Sequence, residues 1–145
     1  MAIHLLDVNV LVALAWRTHE HHQVAADWFA NAADDGWATC PMTQCGFVRI
    51  SSNPKIIHKA VSPMQAVALL QEMLKNKNHV FWEENISLTD TKYFGRFTIT
   101  GHRQITDAYL LELAIRNGGR IATLDRGIPL LANSPADRES VVLIK

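Results

Sequence analysis

Three aspartates that lie far apart along the chain are predicted to meet in the folded protein. Asp7 and Asp125 each follow a short apolar run, and Asp107 lies near the start of a strongly apolar helical segment. The carboxyl ends of parallel strands, and the helix starts beside them, share one edge of an α/β sheet, where such folds bind ligands. Three carboxylates at that edge repel one another unless they are protonated or neutralised by a cation. The pattern therefore predicts a site for a hard divalent metal ion and metal-assisted chemistry on phosphate.

Each aspartate also has a purely structural interpretation. Asp7 could cap the helix that follows it, but Asn9 is also available, so we expect Asn9 to be the cap and Asp7 to be free for a ligand role. Asp107 suits the first turn of a helix, where the macrodipole favours an acid. Asp125 suits a turn, because Gly127 follows two residues later. The metal site is favoured because all three fall at one predicted edge.

The elements that would position these aspartates alternate between strand and helix. Apolar segments typical of strands lie at residues 2–6, 37–40, 80–82, 120–124 and 141–144. Helices are predicted from Asn9 to about Trp16, over about 20–31, from Thr43 to about Ile50, from Pro63 onward, and up to Asn117. Such alternation is typical of α/β folds. We therefore expect a three-layer α/β/α sandwich around a mostly parallel sheet of about five strands, in one domain spanning residues 1–145.

Two further segments have local signals. Ser62 suits the N-cap of a helix, Pro63 its first position, and Gln65 the reciprocal contact of a capping box. Residues 83–103 are predicted to be loop with a short helical piece, in which Glu83 and Glu84 belong to the solvated surface.

The composition limits the classes of protein that the chain can represent. Lys and Arg together number 14, as do Asp and Glu, so the chain lacks the global positive charge of many nucleic-acid binders. If the protein acts on RNA or DNA, the contact would have to be local, through small basic patches and through the metal ion. No basic leader is present, and no apolar run approaches the roughly 20 residues of a membrane helix, so we expect a cytoplasmic protein without a membrane partner. Cys40 and Cys45 are predicted to be two small buried hydrophobic residues.

Four ordered segments carry a resemblance to a known family. They read LLDVNVL at 5–11, CPMTQCGFVR at 40–49, GHRQITDAYL at 101–110 and ATLDRG at 122–127. The chain resembles the PIN-domain ribonucleases, in particular the VapC toxins of type II toxin–antitoxin systems. The resemblance implies an endoribonuclease that depends on Mg²⁺ or Mn²⁺ and hydrolyses RNA phosphodiester bonds. It also implies a homodimer and a cognate VapB-like antitoxin, whose peptide arm crosses the acidic pocket.

The resemblance also implies roles for individual residues. Asp7 and Asp107 would hold the principal metal ion, and Asp125 would complete the acidic cluster. Thr123 would support the site through its hydroxyl or contact the substrate. The remaining predicted substrate-binding residues are Arg103 and Arg126, because arginine suits bidentate contact with phosphate.

One position departs from the usual pattern of the family. PIN proteins commonly carry an acid on the helix after the second strand, where this chain has Gln44. An amide offers a neutral oxygen, so a second metal ion should bind more weakly. We expect Gln44 still to face the pocket, as part of the catalytic set. The departure keeps open a second interpretation, a catalytically weak or inactive PIN module that binds RNA or a protein. A phosphohydrolase with an aspartate nucleophile is disfavoured, because Asn9 stands where such enzymes need a second aspartate.

Overall fold

The computed structural model describes residues 2–145 and contains one sheet of five parallel strands. Its spatial order is β3-β2-β1-β4-β5. The strands are β1 His4–Leu6, β2 Trp37–Thr39, β3 His79–Phe81, β4 Arg120–Thr123 and β5 Val141–Leu143. In register, Leu5 of β1 lies opposite Ala38 on one side and Ile121 on the other. The predicted α/β class is confirmed, and each neighbouring pair of strands is parallel.

Helices connect the strands and cover both faces of the sheet. They are α1 Val8–Ala15, α2 His22–Ala32, α3 Pro41–Ser51, α4 Pro63–Leu74, α5 Thr91–Phe94, α6 Ile105–Arg116 and α7 Pro135–Glu139. Short 3₁₀ turns lie at Ala33–Asp35, His102–Gln104 and Ile128–Leu131. The prediction of a single domain over 1–145 stays a prediction.

The core lies in two layers because side chains alternate across each strand. Leu5 and Ile121 point to the face covered by α6, where they join Leu110 in one buried cluster. Leu6 and Ala122 point to the opposite face, where they belong to a cluster with residues of α1 and α3. This alternation accounts for the three-layer sandwich and leaves the carboxyl edge of the sheet for polar residues.

Local sequence signals predicted one helix start correctly and another incorrectly. The capping box before α4 is confirmed: the Ser62 hydroxyl accepts from the Gln65 amide at 3.2 Å, and the Ser62 amide donates to Gln65 Oε1 at 2.9 Å. The prediction that Thr43 caps α3 is wrong, because the helix begins at Pro41 with Cys40 as its cap. Proline suits the first helical position, and the Thr43 hydroxyl instead accepts from the Cys40 amide at 3.0 Å.

The two cysteines have different environments, so the prediction that both are buried is wrong for one of them. Cys40 is buried, and burial raises the pKa of its thiol to about 11. Cys45 is exposed, because it lies on the face of α3 that turns away from buried Gly46 and Phe47. Both thiols are free. Within the described range, no helix combines the length and apolar character needed to cross a bilayer.

Candidate functional site

The order of the strands creates a crevice at the carboxyl edge of the sheet. The chain builds β2 and β3 outward on one side of β1, and then crosses to build β4 and β5 on the other side. The direction therefore switches between β1 and β4, and such switch points are where open α/β sheets bind ligands. Asp7 directly follows β1, and Asp125 lies two residues beyond the end of β4. Asp107 lies in the first turn of α6.

Asp7 is both a helix cap and the most buried of the three aspartates, with 6% of its surface exposed. Its Oδ1 accepts from the Val8 amide at 2.8 Å, and its Oδ2 accepts from the Thr123 hydroxyl at 2.7 Å. The expectation that Asn9 caps α1 is therefore wrong, because Asp7 has the extended backbone of an N-cap. A carboxylate has about four acceptor sites, so capping leaves lone pairs for a ligand.

Thr123 and Asn9 tie the first helix to the end of β4. The Thr123 side chain is fully buried; besides donating to Asp7, its hydroxyl accepts from the Asp125 amide at 2.9 Å. Asn9 Oδ1 accepts from the Leu124 amide at 3.2 Å, and Asn9 Nδ2 donates to the Thr123 hydroxyl at 3.5 Å. Sequence reasoning missed this role of Asn9. Its spacing two residues after Asp7 was the available signal, since it places Asn9 in the same first turn.

The charges of the three aspartates act on one another. Asp107 is half-buried, and burial, together with the charges of Asp7 and Asp125, raises its pKa to about 6. Burial also raises the pKa of Asp7, against the opposing effect of its hydrogen bonds from Thr123 and Val8. The ion pairs found within residues 2–145 include none of the three aspartates. The site thus concentrates negative charge that a bound cation would stabilise.

The donor atoms of the three aspartates suit a hydrated hard cation better than a metal ion enclosed entirely by protein ligands. Within the part of the chain that the structure describes, no three His, Cys, Asp or Glu side chains are arranged around one ion position. Structural zinc sites need such a closed set of ligands. Magnesium usually takes one or two carboxylates and keeps several waters. Asp7, Asp107 and Asp125 do not form such a set either, so an ion at this edge would have to take one or two of their carboxylates and complete its shell with water.

The other residues predicted for the site lie in different surroundings. Gln44 is half-buried, and its amide nitrogen donates to the Thr39 hydroxyl at 3.0 Å, at the end of β2. Arg103 and Arg126 are exposed. Arg126 lines, together with Asp125, a cavity of about 920 Å³. Thr123 was predicted to contact substrate, but its complete burial and its bond to Asp7 favour a role in positioning that carboxylate.

Glu84 was predicted to be solvated surface, and this is wrong. It is half-buried, and its Oε2 accepts from the Met42 amide at 2.5 Å in the first turn of α3. The start of a helix favours an acceptor because its first amides have no partner within the helix. Glu84 therefore fixes the start of the helix that carries Gln44.

Comparison with known proteins places this chain in a family. The family model described as PIN domain matches residues 4–133. Ribonuclease VapC38 of Mycobacterium tuberculosis is 46% identical over 128 residues, which are 88% of this chain and 89% of the relative. Ribonuclease VapC39 of the same species is 42% identical over 86% of this chain and 89% of the relative. Ribonuclease VapC44, also from that species, is 39% identical over 97% and 98% of the two chains.

Solved structures agree on the architecture. The crystal structure of VapBC2 from Rickettsia felis bound to a promoter DNA fragment matches with a TM-score of 0.60 at 14% identity, over 97% of this chain and 96% of that chain. The structure of FitAcB from Neisseria gonorrhoeae matches with a TM-score of 0.52 at 15% identity, over 99% and 97%. These two likenesses show the fold alone. The family model and the VapC relatives, which span most of its length, establish that the chain belongs to the PIN-domain family and to its VapC group.

Proposed function

We propose that the protein is a metal-dependent endoribonuclease and the toxin component of a type II toxin–antitoxin pair. The observation that carries the proposal is the concentration of charge at the β1–β4 switch point. There burial, together with the charges of Asp7 and Asp125, raises the pKa of Asp107, and no basic side chain of the described residues pairs with the three carboxylates. The relatives named ribonuclease, at 39–46% identity, support the reaction class.

We assign the following roles to the residues at this edge. Asp7 and Asp107 would hold Mg²⁺ or Mn²⁺, and Asp125 would complete the acidic cluster. When bound, such an ion would supply a water of lowered pKa and would polarise a phosphoryl oxygen of RNA. Thr123 fixes the Asp7 carboxylate through its hydroxyl. Arg103 and Arg126, both exposed, contact RNA phosphates.

The family also suggests the partners. A structural neighbour is a VapBC2 assembly, which supports a VapB-like antitoxin for this chain. Arginine pairs well with clustered carboxylates, so an antitoxin arm carrying arginine would compete with the metal ion for the three aspartates. A homodimer and a cytoplasmic location complete the proposal.

A second candidate, a catalytically weak or inactive PIN module that binds RNA or a protein, is favoured by one observation. Gln44 carries no charge where many PIN proteins have an acid, and its amide nitrogen is bonded to Thr39.

One assay separates the two candidates. Purified protein is incubated with a mixed pool of structured RNA in Mg²⁺ or Mn²⁺, with chelator, and as the Asp7→Ala variant. We expect cleavage only by the wild-type protein with metal. Binding without cleavage by the wild type would favour the second candidate, and cleavage in chelator would contradict the metal-dependent reaction.

Replacing Thr123 with valine should lower kcat/KM for RNA cleavage by about 10- to 100-fold, the usual cost of losing a group that orients a metal ligand. Valine keeps the shape of threonine but cannot donate to Asp7 Oδ2 or accept from the Asp125 amide. Thr123→Ser keeps the hydroxyl and should retain most of the activity. If the valine and serine variants cleave RNA equally well, the hydroxyl has no positioning role.

Replacing Gln44 with alanine should lower cleavage by roughly tenfold, if its amide contacts a metal-bound water or substrate. The matched control is Gln71→Ala, because Gln71 is an exposed glutamine on α4 and is not one of the proposed site residues. Metal affinity and cleavage rate are measured for both variants. Unchanged values for Gln44→Ala would show that its bond to Thr39 is its only role.

A further inference from the structure

The position of Asp125 at the carboxyl edge is not fixed by the pairing of strands alone. Strand β4 ends at Thr123, and Asp125 lies two residues beyond it on an exposed turn. Two bonds lie inside this turn: the Asp125 amide donates to the Thr123 hydroxyl at 2.9 Å, and Asp125 Oδ1 accepts from the Gly127 amide at 2.8 Å. These bonds fix the shape of the turn, but its position beside Asp7 and Asp107 needs a contact with another element.

The backbone ladder between β1 and β4 stops one bond short of this turn. Its last bond runs from the Asp7 amide, which donates to the Ala122 carbonyl at 2.9 Å. Parallel strands bond at even intervals, so the next donor along β4 would be the Leu124 amide and its acceptor would be the Asp7 carbonyl. That bond would hold the residue directly before Asp125 against the end of β1.

The Asn9 side chain supplies the missing acceptor. The Asp7 carbonyl is occupied by helix α1, since it accepts from the Val10 amide at 3.0 Å and from the Leu11 amide at 3.2 Å. Asn9 Oδ1 takes its place and accepts from the Leu124 amide at 3.2 Å. A backbone amide only donates, so the side-chain oxygen and not the nitrogen must face Leu124. The bond therefore continues the pairing of β1 with β4 one step beyond the ends of the two strands.

The turn that Asn9 holds carries a charge that acts on the other two aspartates. Burial raises the pKa of Asp7 and of Asp107, and the charge of Asp125 raises both further. The Asp125 carboxylate is therefore close enough to act on a cation held by either of them. A shift of the turn away from α1 would remove that charge from the acidic cluster.

We propose that Asn9 is a positioning residue of the acidic site. Through its bond to the Leu124 amide, it holds Asp125 beside the other two aspartates. This role deepens the proposed ribonuclease function and rests on it. Asn9 contacts neither the metal ion nor RNA, so its loss weakens metal binding by releasing the turn.

The role is tested by the Mn²⁺ affinity of the full chain without RNA. Asn9→Ala and Asn9→Leu both remove the acceptor, and the leucine keeps the volume of the side chain. Each should weaken binding by about tenfold, the lower end of the usual cost of losing a group that orients a metal ligand. Asn9→Asp keeps an acceptor oxygen for Leu124, so it should restore the wild-type affinity or exceed it, because its charge also attracts the cation. Asn31→Ala, at an exposed asparagine on α2, is the matched control and should bind as the wild type does.

A double substitution shows whether Asn9 acts through Asp125. When Asp125→Ala is already present, adding Asn9→Leu should change the Mn²⁺ affinity little, because the effects of residues that act through one contact are not additive. An equal loss with and without Asp125 would overturn the proposal. So would an Asn9→Asp variant that binds Mn²⁺ as weakly as Asn9→Leu.

Amide hydrogen exchange in chelator separates this role from the ribonuclease function, since it needs no metal ion. The Leu124 amide should be protected in the wild type and in Asn9→Asp, and should lose that protection in Asn9→Leu, while buried Leu110 on α6 stays protected in all three. Equal protection of Leu124 in the three proteins would contradict the proposal. A wild type that binds no Mn²⁺ but shows the expected exchange would contradict the metal-dependent function, and would leave Asn9 as the residue that holds the turn.

Discussion

Replacing Asp107 with asparagine should stabilise the metal-free protein at neutral pH by on the order of 2 kcal/mol while abolishing RNA cleavage. In the folded protein the pKa of Asp107 is raised from its ordinary value of 3.8 to about 6, by burial and by the charges of Asp7 and Asp125. The ionised side chain therefore costs stability above about pH 6. This cost shrinks as the pH falls through 6 and vanishes below about 4, where the carboxyl is protonated in both folded and unfolded chains.

The measurement is the free energy of unfolding in denaturant, with chelator present, at pH 7.5 and pH 4.5. The free energy of unfolding of Asp107→Asn should exceed that of the wild type at pH 7.5, and the difference between the two should be smaller at pH 4.5. Asp34→Asn is the matched control, because Asp34 is exposed and lies outside the cluster. A variant that is less stable than the wild type at pH 7.5 would mean that Asp107 is stabilised by a partner and not strained by like charges.

Replacing Arg96 with methionine should destabilise the fold by about 3–5 kcal/mol, the usual cost of leaving a buried charge without its partner. Arg96 Nη2 lies 2.5 Å from Oε1 of Glu112, whose side chain is only 1% exposed. Arg96 Nε also lies 3.0 Å from Asp137 Oδ2 on α7. Because Glu112 lies on α6, the same helix as Asp107, this ion pair fixes the 83–104 connection against the helix that carries a proposed metal ligand.

The ion pair can be separated from general packing by a second substitution. Adding Glu112→Leu to Arg96→Met removes the buried charge, and should recover most of the lost free energy of unfolding. Arg138→Met, at an exposed arginine of α7 that forms no ion pair within the described residues, is the control and should change stability little. If Arg96→Met and Arg138→Met have equal effects, the contact with Glu112 contributes nothing to stability.

Local chemistry allowed much of this architecture to be predicted. The apolar runs before Asp7 and Asp125 predicted both strands of the switch point, because buried parallel strands are apolar on both faces. Ser62 and Gln65 predicted the start of α4, since a capping box is contained within four residues. The position of Asp107 in a first turn likewise followed from its immediate neighbours.

Contacts between distant segments could not be predicted in this way. Glu84 bonds the Met42 amide across 42 positions, and the path of the connection after β3 has no hydrophobic period to reveal it. The sequence predicted Asn9 as the cap of α1 in place of Asp7, because both residue types cap helices well. The difference lies in Asn9's bonds to Thr123 and Leu124, which depend on β4 packing beside β1. Cys45 was wrongly predicted to be buried, because the face of α3 that is buried depends on which distant segments pack against this helix.

The most direct test of the metal site is a titration of the RNA-free protein with Mn²⁺, followed by calorimetry and by the Mn²⁺ electron spin resonance signal. The wild-type chain, Asp107→Asn and Gln71→Ala are compared at neutral pH. We predict that the wild type and Gln71→Ala bind the principal ion alike, and that Asp107→Asn binds it at least about tenfold more weakly. Equal binding by Asp107→Asn and the wild type would contradict the assignment of the carboxylates at the β1–β4 switch point as the metal site.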